Sequence, residues 1–208
     1  NIPECLLTSV VVVSGPAIAC DMANGSFTMM DVASKNKLAI ESVKKVLENE
    51  NLKLNITNDI IGVKVGGSLK NLYAIGMGIC DGMNLPMNTK SALLVLALEE
   101  MVLLTEKMGG CRQTVYGLSG LGDLIGTSLC KISRNRRFGE CLSKGIAKTG
   151  ACNKIKQVVE GIDISETVLQ LTKRFKISLP FAETIAKIVL RQLDPQKEIK
   201  NFFKKINF

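Results

Sequence analysis

The chain has 208 residues, of which 46% are hydrophobic and 22% charged, proportions typical of a globular protein with a sizeable core. Its net charge of +8 favours an anionic ligand, but two Tyr and seven Phe scattered along the chain disfavour nucleic-acid binding, so we expect a small phosphate-bearing ligand. Seven Cys without a C-x-x-C pair, together with no His, argue against a metal site or a disulfide framework and favour a cytoplasmic protein with reduced thiols.

The first sixty residues are predicted to form an α/β segment. The β-branched run Ser9–Val13 predicts a buried parallel strand, which the Gly15-Pro16 step ends. Two shorter strands are predicted at Phe27–Val32 and Leu52–Thr57, with a helix at Lys35–Leu47 between them because apolar residues recur there at helical spacing. We interpret this segment as the edge of an α/β sheet.

From residue 58 onward the pattern is helical, and this part is expected to be nearly all α. The Leu179-Pro180 and Asp194-Pro195 steps mark the starts of two helices. The longest apolar stretch, Ser91–Thr105, contains Glu99 and Glu100, so no membrane span is predicted. The predicted helices are Asp59–Gly82, Asn88–Met108, Cys111–Asp123 with a Gly-rich bend at its end, Ser133–Lys144, Ile164–Phe175, Pro180–Arg191 and Pro195–Lys204.

A pair of glycines lies inside the first long predicted helix. Each of Gly66 and Gly67 costs roughly 1 kcal/mol relative to Ala in a helix, so we expect a ligand or another backbone to approach closely there. Helical spacing places Lys70 on one face with the small residues Gly66, Ala74 and Gly78. Taken alone, the motif favours the alternative interpretation, in which the helix packs tightly through small residues and Lys70 extends to solvent.

A second motif presents polar groups that suit a polyol phosphate. A Gly-rich turn over residues 117–122 leads into Asp123, and a helix start follows at Ser133, Arg134 and Asn135. The guanidinium of Arg134 supplies a bidentate fork for phosphate. The alternative is an ordinary surface helix start with exposed arginines.

The sequence contains no dinucleotide-binding turn and no histidine. Residues 76–82 are Gly-rich, but their spacing departs from G-x-G-x-x-G and no strand precedes them. Without His, a proton transferred at the site must be carried by Lys, Asp, Glu, Tyr or Cys, and Lys70 fits that role.

Taken in order, these motifs resemble the bacterial-type NAD(P)-dependent glycerol-3-phosphate dehydrogenases. Each motif alone is weak, but the ordered set is specific and covers essentially the whole chain. The segments that carry the resemblance are Gly15-Pro16-Ala17, Val65–Asn71, Asp81-Gly82, Gly117–Leu124, Ser133–Gly139 and Val158–Gly161.

The resemblance implies a two-domain enzyme that interconverts sn-glycerol 3-phosphate and dihydroxyacetone phosphate with NAD or NADP, supplying glycerol 3-phosphate for glycerophospholipid synthesis. Residues 1–60 would be the end of a Rossmann domain, and residues 61–208 the all-helical substrate-binding and catalytic domain. Lys70 would be the proton acceptor. The implied substrate contacts are Gly15, Lys70, Asp123, Ser133, Arg134 and Asn135, and the implied cofactor contacts are Ala19, Arg134, Val158 and Glu160.

The chain also departs from the family pattern. Ala17 stands where the family usually has Ser, and the Gly-rich cofactor turn and a second lysine are absent. We therefore expect a fragment, a split product or a degraded form that is inactive without an N-terminal Rossmann half, with a homodimer as the default assembly. The alternative is a non-catalytic helical module that serves in oligomerisation or binds an anionic metabolite.

Overall fold

A three-stranded sheet opens the described part of the chain, residues 10–206 of a computed structural model. Strands β1 (Val12–Ser14), β2 (Thr28–Ala33) and β3 (Leu52–Thr57) lie in that order, with β1 antiparallel and β3 parallel to β2. Helix α1 (Ala19–Ala23) joins β1 to β2, and α2 (Lys37–Leu47) joins β2 to β3. The small core beneath α2 contains Val32, Ile40 and Leu54, with Val11, Val13, Met30 and Val43 packed against it.

The first strand differs from its prediction as a buried parallel strand. It covers Val12–Ser14, it is only partly buried, and it pairs antiparallel with β2 because the chain reverses through α1 and a left-handed Gly25 (φ 77°). Ser9 lies outside the described residues. The apolar run predicted a buried strand, whereas β1 is only partly buried, and an apolar run carries no information about strand direction.

The remainder of the described chain is helical, as predicted, and the mainly α fold class is confirmed. Proline at the first helical position and an aspartate cap fix two helix starts: Asp194 Oδ1 accepts hydrogen bonds from the backbone N–H groups of Gln196 and Lys197. The helices are α3 (Ile60–Gly82), α4 (Met87–Lys107), α5 (Arg112–Val115), α6 (Asp123–Leu129), α7 (Arg134–Ser143), α8 (Lys148–Ile155), α9 (Glu160–Phe175), α10 (Pro180–Arg191) and α11 (Pro195–Lys205).

The predicted helices need local correction. The helix expected over Cys111–Asp123 is broken into the short α5 and a π-helical turn, Leu118–Gly122, and Asp123 begins a helix instead of ending one. Gly117 and Gly120 explain the break, since Gly120 packs against the backbone of Val115 at a distance that admits no side chain. Helices α1, α6 and α8 were not predicted, because short helices carry little periodic signal.

The chain groups into two compact units. Of the described residues, the first contains 10–67 and 101–126, and the second contains 68–100 and 127–206. All three described strands precede residue 58, so secondary structure changes near the predicted boundary at residue 60. The assignment of residues 1–60 to one functional domain stays a prediction. Among residues 10–206, no helix has the length and hydrophobicity needed to cross a lipid bilayer.

In the second unit, α3 and α7 approach each other through glycines. A Cβ on Gly78 would overlap the carbonyl oxygen of Arg136, and a Cβ on Gly139 would overlap that of Ile75. The contact therefore has a glycine on each helix facing the other helix's backbone. Close packing of this kind fixes the position of one helix against the other.

This packing predicts that Gly78→Ala destabilises the protein although Ala is the better helix former. Helix propensity favours Ala by about 1 kcal/mol, but overpacking against the Arg136 carbonyl is expected to give a net loss of about 2 kcal/mol. The matched control is Gly150→Ala, in exposed α8, where the nearest side chain can move away. Chemical denaturation would measure both variants, and equal stability of Gly78→Ala and the wild type would contradict this packing.

A buried carboxylate supports the start of α10. Glu100, 4% exposed, accepts hydrogen bonds from the backbone N–H groups of Phe181 (2.6 Å) and Ala182 (2.9 Å) and from the Tyr73 hydroxyl (2.9 Å). Glu100 thereby replaces an N-cap side chain, because Leu179 at the N-cap position has no hydrogen-bond acceptor in its side chain. Burial raises the pKa of Glu100 to about 7, although the three hydrogen bonds lower it and nearby Glu183 raises it further.

A raised carboxyl pKa links the stability of the protein to pH. The folded state binds the Glu100 proton more tightly than the unfolded chain, so the contribution of this group to stability is fully present below pH 4.5 and is lost as pH rises through about 7. At about 1.4 kcal/mol per unit of pKa, the loss amounts to roughly 3 kcal/mol. Glu100→Gln should flatten the dependence of unfolding free energy on pH between 5 and 8, whereas the exposed neighbour variant Glu99→Gln should keep it. If the unfolding free energies of Glu100→Gln and the wild type changed equally with pH, the assignment of this pH dependence to Glu100 would be refuted.

Candidate active site

The glycine pair in α3 lies against a turn and a strand of the first unit. A Cβ on Gly66 would overlap the Ser119 carbonyl oxygen, and a Cβ on Gly67 would overlap Ser14 Oγ. The close approach expected from the sequence is therefore made by protein atoms, a backbone in one case and a hydroxyl in the other. These contacts bring α3 directly against the Gly-rich turn.

The same turn leads into Asp123, whose side chain is buried. Asp123 is 2% exposed at the first position of α6, and the Ser14 hydroxyl donates a hydrogen bond to its Oδ2 at 3.3 Å. The carboxylate is therefore held inside the first unit. Gly15, the other predicted substrate contact here, packs against the backbone of Met30, where a Cβ would lie 2.9 Å from the Met30 Cα.

A second buried carboxylate, Asp31 on β2, contacts the turn and was not predicted. Asp31 is 3% exposed, and its Oδ1 accepts a hydrogen bond from Asn55 Nδ2 at 2.7 Å. Its Oδ2 accepts from the Ser119 backbone N–H at 2.8 Å and from the Ser119 hydroxyl. An acidic residue within an otherwise apolar strand was the available signal, since a buried carboxylate requires donors.

In the second unit, the start of α7 presents two of the predicted site residues. Ser133 is its N-cap and accepts a hydrogen bond from the Arg136 backbone N–H at 3.4 Å, so its hydroxyl has a structural role. Arg134 Nη2 forms an ion pair with Glu160 Oε1 at 2.7 Å. Both side chains are about two-fifths exposed, so an additional anion has access to the guanidinium.

Asn135, 3% exposed, connects three helices. Its Nδ2 donates to Asn71 Oδ1 at 2.9 Å and to Glu160 Oε2 at 3.4 Å, and its Oδ1 accepts from the Gly161 backbone N–H at 2.9 Å. The side chain therefore links Asn71 on α3 to the start of α9. Asn71 was not assigned a role from the sequence, although it stands next to Lys70 in the motif.

Lys70 is partly buried on α3, one residue before Asn71 and in the same unit as Arg134, Asn135 and Glu160. The hydrogen bonds of Asn135 fix Asn71 and thereby the stretch of α3 that bears Lys70. A cation on a fixed helix, an accessible guanidinium and two oriented amides together suit an anionic, hydroxyl-bearing ligand.

The other motif residues divide into structural and exposed positions. Arg136 forms ion pairs with Asp81 (2.6 Å) and Glu140 (3.1 Å), and Lys90 also contacts Asp81 (2.8 Å), so these groups join α3, α4 and α7.

The predicted cofactor contacts Ala19 and Val158 are both exposed, Val158 to 69%. No cluster of potential metal ligands occurs within residues 10–206.

Comparison with known proteins assigns the family. Residues 59–200 match the family described as NAD-dependent glycerol-3-phosphate dehydrogenase C-terminus. Glycerol-3-phosphate dehydrogenase [NAD(P)+] of Synechococcus sp. is 34% identical over 97% of this chain and 67% of its own length, and that of Clostridium acetobutylicum is 36% identical over 91% and 57%. The solved Coxiella burnetii glycerol-3-phosphate dehydrogenase aligns with a TM-score of 0.91 at 35% identity, covering 94% of this chain and 60% of that one.

The fold and the match together define a helical dehydrogenase C-terminal region, as the sequence motifs predicted. The chain belongs to the glycerol-3-phosphate dehydrogenase family. It spans about three-fifths of the length of the relatives that it matches. The roles of individual residues stay predictions.

Asn135 offers a test of this arrangement. Asn135→Leu keeps the size of the side chain but removes the hydrogen bonds with the Gly161 N–H and Asn71 Oδ1, which should cost about 2 to 6 kcal/mol of stability, at 1 to 3 kcal/mol per buried group. Asn153→Leu on the exposed surface of α8 should be nearly neutral. Thermal denaturation of both variants checks the prediction, and a neutral Asn135→Leu would contradict the bridging role.

Proposed function

We propose that the chain forms the substrate-side part of an NAD(P)-dependent sn-glycerol-3-phosphate dehydrogenase that interconverts sn-glycerol 3-phosphate and dihydroxyacetone phosphate. The observation that carries the proposal is the cluster of Asn71, Arg134, Asn135 and Glu160 beside Lys70, within the segment that matches the family. This cluster combines a cation for phosphate with oriented amides and a lysine amine.

Lys70 takes the central chemical role in this proposal. Oxidation of the secondary alcohol removes a hydride from carbon and a proton from oxygen, and NAD or NADP accepts the hydride. The Lys70 amine accepts the hydroxyl proton in this direction and returns it in the reverse direction. Ser133 acts by starting α7 and so presenting Arg134, and Asn135 orients the substrate through Asn71 and its own amide.

Arg134 binds the substrate phosphate or the adjoining cofactor. Its pairing with Glu160 orients the guanidinium before a ligand arrives, and the exposed part of the side chain admits the incoming anion. Exposed Val158 supplies an apolar surface near the start of α9, where Glu160 is the first residue. Ala19, Val158 and Glu160 are the remaining cofactor contacts of the proposal, and Gly15 and Asp123 the remaining substrate contacts.

The wider assignment is part of the same proposal, which the family match supports. Residues 1–60 form the end of a Rossmann domain, and residues 61–208 form the substrate domain. The enzyme is a homodimer that works in the cytoplasm and supplies glycerol 3-phosphate for glycerophospholipids. Six free cysteines among the described residues support a reducing compartment.

The experiment joins the chain to the part of the Coxiella burnetii enzyme that it does not cover. Lys70→Met should lower kcat by about 10² to 10⁴ with little change in substrate affinity, because proton transfer is lost and ligand charge pairing is kept. Arg134→Lys should chiefly raise the Michaelis constant for glycerol 3-phosphate, because the ammonium lacks the planar fork.

Matched controls lie on the same helices. Lys64→Met on α3 and Arg137→Lys on α7 change exposed residues and should leave both constants unchanged. The 208 residues alone should show no turnover, because the sequence has no G-x-G-x-x-G turn to hold the nicotinamide. Normal turnover by Lys70→Met would overturn the assignment, and ligand binding without any turnover in the joined protein would favour a non-catalytic anion-binding module.

A further inference from the structure

A row of polar side chains crosses the sheet of the first unit. Ser14 on β1, Asp31 on β2 and Asn55 on β3 are direct register partners, so they stand side by side on one face. Asn55 donates to Asp31 at 2.7 Å. We call Ser14, Asp31 and Asn55 the polar row.

The polar row holds the Gly-rich turn at two points. Asp31 Oδ2 accepts hydrogen bonds from the backbone N–H and the hydroxyl of Ser119, and Ser14 Oγ donates to Asp123 Oδ2. Ser119 lies inside the turn, and Asp123 directly follows it, four residues further along the chain. A carboxylate bound by a backbone N–H and a hydroxyl forms strong hydrogen bonds, and burial of Asp31 protects them from water.

The turn needs such support because its glycine-rich backbone can adopt several conformations. Gly117, Gly120 and Gly122 fall within six residues, and the turn has π-helical hydrogen bonding, which is rare in regular structure. Glycine lowers the cost of alternative backbone conformations, so the position of Asp123 depends on contacts from outside the turn. Asp31 supplies two of those contacts, to a single residue.

We propose that Asp31 is a positioning residue: it fixes the Gly-rich turn through Ser119 and thereby sets the place of the Asp123 carboxylate for the hydroxyl end of the substrate. This proposal rests on the proposed function for the identity of the ligand, sn-glycerol 3-phosphate. Asn55 supports Asp31 from the neighbouring strand, and Ser14 orients Asp123 directly.

The first measurement is amide hydrogen exchange on the 208-residue chain, and it does not depend on the ligand. Asp31→Asn keeps the size of the side chain but replaces the charged acceptor, so exchange at the Ser119 amide should accelerate at least about tenfold, as for loss of roughly 1.4 kcal/mol of protection. Amides of the β2 and β3 ladder should keep their protection. Unchanged Ser119 exchange would overturn the proposal, and equal acceleration throughout the sheet would assign Asp31 a general structural role instead.

The second measurement is titration with sn-glycerol 3-phosphate, followed by NMR. Asp31→Asn should weaken binding by about tenfold, and Asp31→Asn combined with Asp123→Asn should bind no more weakly than Asp123→Asn alone, because Asp31 acts through Asp123. Asp163→Asn, an exposed acid on α9, is the matched control and should bind like the wild type. If the losses of binding free energy in the two single variants added up in the double variant, Asp31 would not act through Asp123, and the proposal would be overturned.

The two measurements separate the two proposals. A wild-type chain that fails to bind sn-glycerol 3-phosphate would contradict the proposed function, whereas the exchange of the Ser119 amide still decides whether Asp31 holds the turn. Ser119→Ala tests the same contact from the other side. It removes the hydroxyl and keeps the backbone donor, so it should produce a smaller acceleration across residues 118–122 than Asp31→Asn does.

Discussion

Close backbone approach at glycines is the constraint on which the structure depends. In the first unit, Gly66 allows α3 to touch the carbonyl of Ser119, and in the second, Gly78 allows it to touch the carbonyl of Arg136. Lys70 and Asn71 lie on the helix between those two contacts. Because a packed backbone contact cannot slide without overlap, the orientation of this helix is fixed by steric exclusion as much as by attraction. A lysine on such a helix is confined before any ligand arrives.

Polar side chains in both units then have a common function, which is to fix the ends of short segments. Glu100 holds the start of α10, Asn135 joins α3 to the start of α9, and Asp31 holds the Gly-rich turn. Each of these groups is buried, and each accepts hydrogen bonds from a backbone N–H, so each also satisfies a donor that burial would leave unpaired. The exposed pair of Arg134 and Glu160 is different, since its guanidinium stays accessible to a ligand.

The sequence predicted the long helices well because the hydrophobic periodicity and the residues that start and end helices indicate the same boundaries. Pro180–Arg191 was predicted to the residue, since proline fixes its start and the apolar stripe fixes its length. Strand direction in β1 and the break before Asp123 were predicted wrongly, because both depend on contacts between distant segments. The site motifs were recognisable from spacing, and the structure brings Arg134, Asn135 and Glu160 together. The roles of Asn71 and Asp31 could not be predicted from the sequence, because their hydrogen-bond partners lie 64 and 88 residues away along the chain.

The hydrogen bond between Asp31 and Ser119 has a consequence for folding during synthesis. Its partners are separated by 88 residues, and the first unit is completed only by residues 101–126. At a typical rate of 5 to 20 residues per second, roughly 4 to 18 s pass between translation of the strand and translation of its partner. During that interval Asp31 Oδ2 lacks the two Ser119 donors that it has in the folded unit, which disfavours burial of that face in a premature contact. The same side chain that completes the native unit therefore discourages the sheet from collapsing too early.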